Sequence, residues 1–226
     1  MARRPKTDTE PHLDQKRIVL AALELLEEVG LKQLTMRKLA ESLGVQVGAL
    51  YWHVKDKEEL LSLLADKISS DIIWHNGDIS WREALVVWAT NFRVVLCSYR
   101  DSVEIFNSST ISTGYNRLQQ IEALFDVLGK AGFKDIEIPW MASMIKSYIL
   151  GSVSEEVRLQ KISQEREQTF EELGKNVNEI YQALPAAAFP HMARLAPYLT
   201  SPDWEQEFNF GLRVLLDGFT ARLSQE

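Results

Sequence analysis

The tightest constraint on this chain lies between Gly44 and Asp56, where VQVGALYWHVK leaves room for one helix of only about two turns, from Gln46 to His53. Gly44 can end the helix before it, and Asp56, with Glu59 three residues on, can cap the helix after it. Tyr51, Trp52 and His53 stand side by side in that short piece. Consecutive helical residues point in different directions, so the three cannot share one core face and at least one looks outward. Upstream, Thr35 is a good N-cap for Met36 to Leu43. A helix, a tight glycine turn and a second short helix together read as a helix-turn-helix unit.

Leu13, Ile18, Ala21, Ala22, Leu25, Leu26 and Val29 recur at helical spacing between Asp14 and Gly30, which predicts a first helix of about four turns. After Asp56, the stripe continues through Leu60, Leu61, Leu64 and Ile68. Asn76, Gly77 and Asp78 interrupt it. Ser80, with Glu83 at the reciprocal capping position, then starts a long helix carrying Trp81, Leu85, Trp88, Phe92, Val95 and Leu96. An irregular stretch from Asn107 to Thr113 precedes a helix from Tyr115 to Lys130, and Pro139 opens another. Gln164 to Ala183 reads either as an exposed helix or as a partly mobile segment, and a last helix spans Asp203 to Leu223. With no alternating strand pattern and no repeat, the expected fold is all-α. Its expected divisions are a flexible arm (1–12), a three-helix head (13–57), a connecting helix (58–75) and a larger helical bundle (76–226).

The net charge of −7 hides an asymmetry: residues 1–57 hold 10 Lys and Arg against 8 Asp and Glu, and the remainder 15 against 24. A mildly basic head on an acidic body fits a small nucleic-acid-binding domain joined to one with another task. Cys97 is the sole cysteine, so an internal disulfide and a multi-cysteine metal site are excluded. No apolar run approaches the length of a transmembrane helix, and none follows the basic N-terminus as in an exported protein. A cytoplasmic protein without a membrane partner is expected. The four histidines are scattered, and neither HExxH, a glycine-rich phosphate loop nor a recognisable nucleophile setting occurs, so an enzyme is not expected.

In a helix-turn-helix the second helix enters the DNA major groove, with side chains near its N-terminus at the base edges. Gln46 suits a bidentate pair with adenine and Val47 a thymine methyl, while Gly48 and Ala49 are small enough for close approach. Tyr51 and His53 can reach phosphates, Lys57 adds a charge at the next helix start, and Arg37 can meet a phosphate or a guanine. Trp52 is expected in the core, against Leu39 and Leu43.

LTMRKLAESLGVQVGALYWHVKDKEELLSLLADKI closely resembles the DNA-binding domain of the TetR family of transcriptional regulators. RKLAESLGVQVGALYWHVKDK and SWREALVVWATNFRVVLCSYRD, with the later AGF, look like the tetracycline-repressor branch of that family. The likeness is specific over residues 13–68 and weaker over 80–160. It implies a homodimer on a palindromic double-stranded DNA operator, released when a small molecule binds the second domain. Thr35 is the motif's helix-capping threonine and is counted with the DNA-binding residues; Arg37, Gln46, Tyr51, His53 and Lys57 match operator-contacting positions, whereas Val47, Gly48 and Ala49 depart from the pattern, so a different operator sequence is expected. A DNA-binding regulator or architectural protein without an effector is the alternative.

The resemblance also places a metal-binding histidine at Phe106 and a second histidine at Ser147, while Glu155 keeps an acidic pocket position. A lone carboxylate is a poor magnesium site, so neither a metal nor a cofactor is expected. The expected ligand residues are Trp88, Phe92, Phe106, Ser109, Tyr115, Trp140, Ser147, Tyr148 and Glu155, and the expected effector is apolar or aromatic. Phe208, Leu212, Leu215 and Phe219 on the last helix are the expected dimer surface.

Overall fold

The computed structural model describes residues 13–74, 77–109, 114–200 and 203–223; the arm expected at 1–12 lies outside them. The described residues form α-helices without a strand: α1 (Gln15–Val29), α2 (Met36–Leu43), α3 (Val47–Tyr51), α4 (Lys57–Ser69), α5 (Trp81–Cys97), α6 (Ser102–Ser108), α7 (Tyr115–Lys130), α8 (Ile138–Glu165), α9 (Phe170–Gln182), α10 (Pro190–Leu199) and α11 (Trp204–Leu223). They divide into two compact units. One runs from the head through Asp71 and includes Ser98–Gln119; the other holds Ile72–Cys97 and the chain from Gln120 onward.

In the first unit the expected caps form. Asp14 accepts the Arg17 N–H at 2.8 Å, Thr35 the Lys38 N–H at 3.2 Å and Asp56 the Glu59 N–H at 2.8 Å. Ile18, Ala22, Leu34, Leu39, Leu50, Val54, Leu60, Leu64 and Ile68 are fully buried and make its core.

Within the body expected from residue 76, Ser98–Gln119 groups with the first compact unit. Here α6 packs on α4. The cause is polar. The last carbonyls of a helix lack partners inside it, and Arg100 supplies one to α1, donating to the Glu27 carbonyl at 2.5 Å and the Glu28 carbonyl at 3.3 Å. Asp101 accepts the Leu31 N–H at 2.7 Å.

A second clamp joins α4 to α7. Asp66 accepts the Arg117 backbone N–H at 3.0 Å and the Asn116 amide at 2.9 Å, capping the α7 N-terminus from another helix. Gly114 is required there, since a Cβ would lie 2.2 Å from the Asp66 carboxylate. At the end of α4, Asp71 takes the Tyr99 hydroxyl and, at 2.6 Å, the Lys67 ammonium. Burial and this carboxylate push the Tyr99 pKa up to about 12.

In the second unit α5 packs on α8 and α11. Ser80 and Glu83 cap α5 reciprocally, at 2.9 and 3.2 Å. Leu85, Trp88, Ala89, Phe92 and Leu96 of α5 are buried, as are Ile145, Ile149 and Val153 of α8 and Phe208, Leu212, Leu216 and Phe219 of α11. Arg93 and Glu156 form a buried ion pair at 2.8 Å, their side chains 12% and 11% exposed. Arg93 also lies over the Phe208 ring, 5.3 Å from its centroid. Beside the pair, burial and Glu156 push the Cys97 thiol up to about 11, opposite to what a nucleophile needs. The ambiguous 164–183 stretch is resolved as the end of α8 followed by α9, which opens on a Thr169–Glu172 capping box and pairs with α10.

Candidate functional site

The recognition hairpin is built by two local devices. Gly44 ends α2 in the left-handed region (φ 68°), and its N–H reaches back to the Ala40 and Glu41 carbonyls. The adjacent Val45 N–H also bonds the Ala40 carbonyl, at 3.0 Å, closing the turn in the manner of a glycine C-cap. Gln46 then enters α3 in extended conformation with its side chain uncommitted to capping. Leu50 anchors the five-residue helix in the core.

This arrangement leaves a row of side chains outside. Arg37, Gln46, Gly48 and Tyr51 are exposed, and Val47 and Ala49 are half-buried. An added Cβ at Gly48 would meet nothing within 4 Å, so this face of α3 is open. Arg37 on α2 is exposed and paired with Glu41 at 3.0 Å. Thr35 is exposed, with its hydroxyl engaged as the α2 cap. His53 is half-buried, and so is Lys57, whose ammonium donates to the Leu31 carbonyl at 3.2 Å.

Trp52 is a correction. The expectation put it in the core, yet it is 89% exposed. Leu50 and Val54, four residues apart, take the inner face, and Trp52 lies about 200° round the helix from Leu50. An indole standing in water next to the exposed Tyr51 joins the candidate DNA surface.

Nine ligand residues are expected from the sequence. Phe106, Ser109 and Tyr115 belong to the first unit and the others to the second. Trp88 and Phe92 are buried in a stack: Trp74 lies on Trp88 at 5.2 Å between centroids, and Phe92 is tilted against Trp88 at 5.5 Å. Gln120, missed in the sequence, accepts both indole N–H groups, from Trp74 at 2.7 Å and Trp88 at 2.9 Å, and donates to the Ile72 carbonyl at 2.9 Å. Tyr148 stacks on Phe208, and its hydroxyl donates to the Phe208 carbonyl at 2.9 Å. Trp140, Ser147 and Glu155 lie on the outer side of α8; Trp140 is 61% exposed and Glu155 is paired with Arg158. Tyr115 is also exposed.

In the first unit, Phe106 and Ser109 are buried beside Arg117, whose guanidinium lies 5.1 Å from the Phe106 ring centroid and donates to the Ser109 hydroxyl. These residues do not fit a divalent cation. A phenyl ring has no lone pair to offer, a guanidinium stands beside it, and among the described residues no three of His, Cys, Asp and Glu come together.

The last helix requires a second correction. Phe208, Leu212 and Phe219 are buried inside the second unit, with Leu216 beside them, and Leu215 is half-buried, so this face closes the unit's own core. Among the exposed residues, α11 carries the large apolar side chains Phe210, 70% exposed, and Val214, and α8 carries Trp140 and Met144, with Gly151 also exposed.

The chain matches two family models: "Bacterial regulatory proteins, tetR family" over residues 18–64 and "Tetracyclin repressor-like, C-terminal domain" over 75–223. It is 33% identical over 219 residues to the class A tetracycline repressor protein of transposon 1721 from Escherichia coli, covering 93% of this chain and 92% of that protein. Its fold is similar to that of ActR from Streptomyces coelicolor in complex with actinorhodin, with a TM-score of 0.84, 26% identity and coverage of 94% and 97% of the two chains. BioQ with its natural double-stranded DNA operator is similar at a TM-score of 0.65, with 28% identity and coverage of 92% and 98%. No helix among the described residues is long and apolar enough to cross a membrane. The protein belongs to the TetR family of helix-turn-helix transcriptional regulators, a family of DNA-binding proteins and not of enzymes.

Proposed function

We propose that the chain is a homodimeric repressor that binds a palindromic operator through α2 and α3 and leaves it when a largely apolar small molecule binds the C-terminal domain, residues 75–223. The observation that carries the DNA half is the open α3 face, with Gln46, Gly48, Tyr51 and Trp52 in water and Arg37 exposed on α2. Gln46 is the base-reading residue, Arg37 reads a guanine or a phosphate, and Tyr51, Trp52 and His53 line the groove wall. The solved BioQ complex with its operator supports this use of the fold.

The effector half draws support from ActR, a relative of similar fold that holds actinorhodin. A ligand releases DNA only by preferring a conformation whose two heads no longer match half-sites about 34–36 Å apart. The dimer surface we assign is the outward stripe of α8 and α11, Trp140, Met144, Phe210 and Val214, because it is apolar and exposed. Phe210→Glu tests the assembly: sedimentation at micromolar concentration should show a folded monomer with lost operator binding. A dimer as stable as the wild type would reject this surface.

A further inference from the structure

We propose that the Arg117 guanidinium is the anion-binding group of the effector site, and that the effector carries an ionised oxygen, as a carboxylate or an acidic phenol or enol, on its apolar frame. This deepens the proposed function and rests on its claim that a small molecule controls the protein.

Arg117 is half-buried at the start of α7, above the buried Phe106 ring and bonded to the buried Ser109 hydroxyl. No carboxylate among the described residues lies within ion-pair distance of its guanidinium. Asp66 is the acid whose charge acts on it, but the carboxylate oxygens of Asp66 receive the Arg117 backbone N–H and the Asn116 amide. Residues 110–113, Thr-Ile-Ser-Thr, supply no acid either.

Arg93 is the contrast within the same chain: it is also withdrawn from water, but it holds Glu156 at 2.8 Å. Taking a guanidinium out of water without a paired charge is costly. Burial accordingly lowers the Arg117 pKa, against the opposing pull of Asp66. An anionic oxygen arriving with the ligand would supply the missing charge. The planar fork of donors suits a carboxylate, or two neighbouring oxygens on a ring, better than it suits a neutral apolar group.

The test is calorimetric titration of the full chain, in EDTA, with anthraquinone-2-carboxylate and with its neutral carboxamide. Each is then added to the protein on a selected operator duplex to read release by fluorescence anisotropy. The carboxylate should bind roughly tenfold or more tightly than the amide. Arg117→Met should abolish that preference and Arg117→Lys should keep part of it. Equal affinity of the wild type for the two probes would overturn the assignment without reference to any variant, and so would an unchanged preference in a folded Arg117→Met protein. If the amide binds and releases DNA as well as the carboxylate does, only the Arg117 assignment falls. If no member of a wider aromatic panel, charged or neutral, binds or releases DNA, the effector reading falls and this proposal falls with it.

Discussion

The recognition hairpin and the α5–α8–α11 core use similar residue types for opposite ends. In α2 and α3, Leu39, Ala40 and Leu50 hold the fold, while the aromatic and amide side chains stand outside. In the second unit, Trp88, Phe92 and Phe208 are themselves the core, locked by Gln120 and by the Arg93–Glu156 pair. An aromatic residue in this chain is therefore a contact group or a structural one according to direction, not type. The hairpin can change its reading residues at little cost to stability; the α5–α8–α11 packing cannot.

Glu156→Ala should produce the largest effect. It strands the Arg93 guanidinium in the core, and loss of one partner of a buried pair costs about 3–5 kcal/mol. Urea unfolding followed by circular dichroism would show it, and a loss below 1 kcal/mol would mean that water already reaches the pair. Gln46→Ala should do the reverse. It should weaken binding of an operator carrying its adenine by about 1–3 kcal/mol, as read by anisotropy, and leave the unfolding midpoint unchanged. A shifted midpoint would blur the contrast between the two regions.

Asp66→Ala lies between them. It removes the cap of α7 and the Asn116 partner, for an expected loss of about 0.5–2 kcal/mol in the same unfolding assay. No loss would show that α7 starts as well without α4. The smallest effect belongs to Glu41→Ala, which breaks an exposed helix pair with Arg37. Its stability should stay within about 0.5 kcal/mol of the wild type, while operator binding holds or rises as Arg37 is freed. Weakened binding would make Glu41 the residue that positions Arg37.

The helices and caps of the head were legible because they depend on local chemistry. Asp14, Thr35, Asp56 and Gly44 act on residues within five positions of themselves. Trp52 and the α11 face were not legible, because a list of apolar residues does not say which of them faces inward. Phe208 and Phe210 are two positions apart, hence about 200° round the helix, and only packing against α5 and α8 decides that Phe208 goes in. The grouping of Ser98–Gln119 with the first unit was hidden for a different reason. It rests on Arg100, Asp101 and Asp66, whose partners lie about 50 to 73 positions away in sequence.

The most direct test of the central claim is selection of bound duplexes from a random DNA pool, run side by side with the wild-type protein, Arg37→Ala and Gln46→Ala. The account predicts an enriched palindrome for the wild type, with Gln46→Ala losing discrimination at one base position in each half-site and Arg37→Ala weakening binding. Failure of the folded wild-type protein to enrich any sequence, or an identical enriched site for Gln46→Ala, would contradict it.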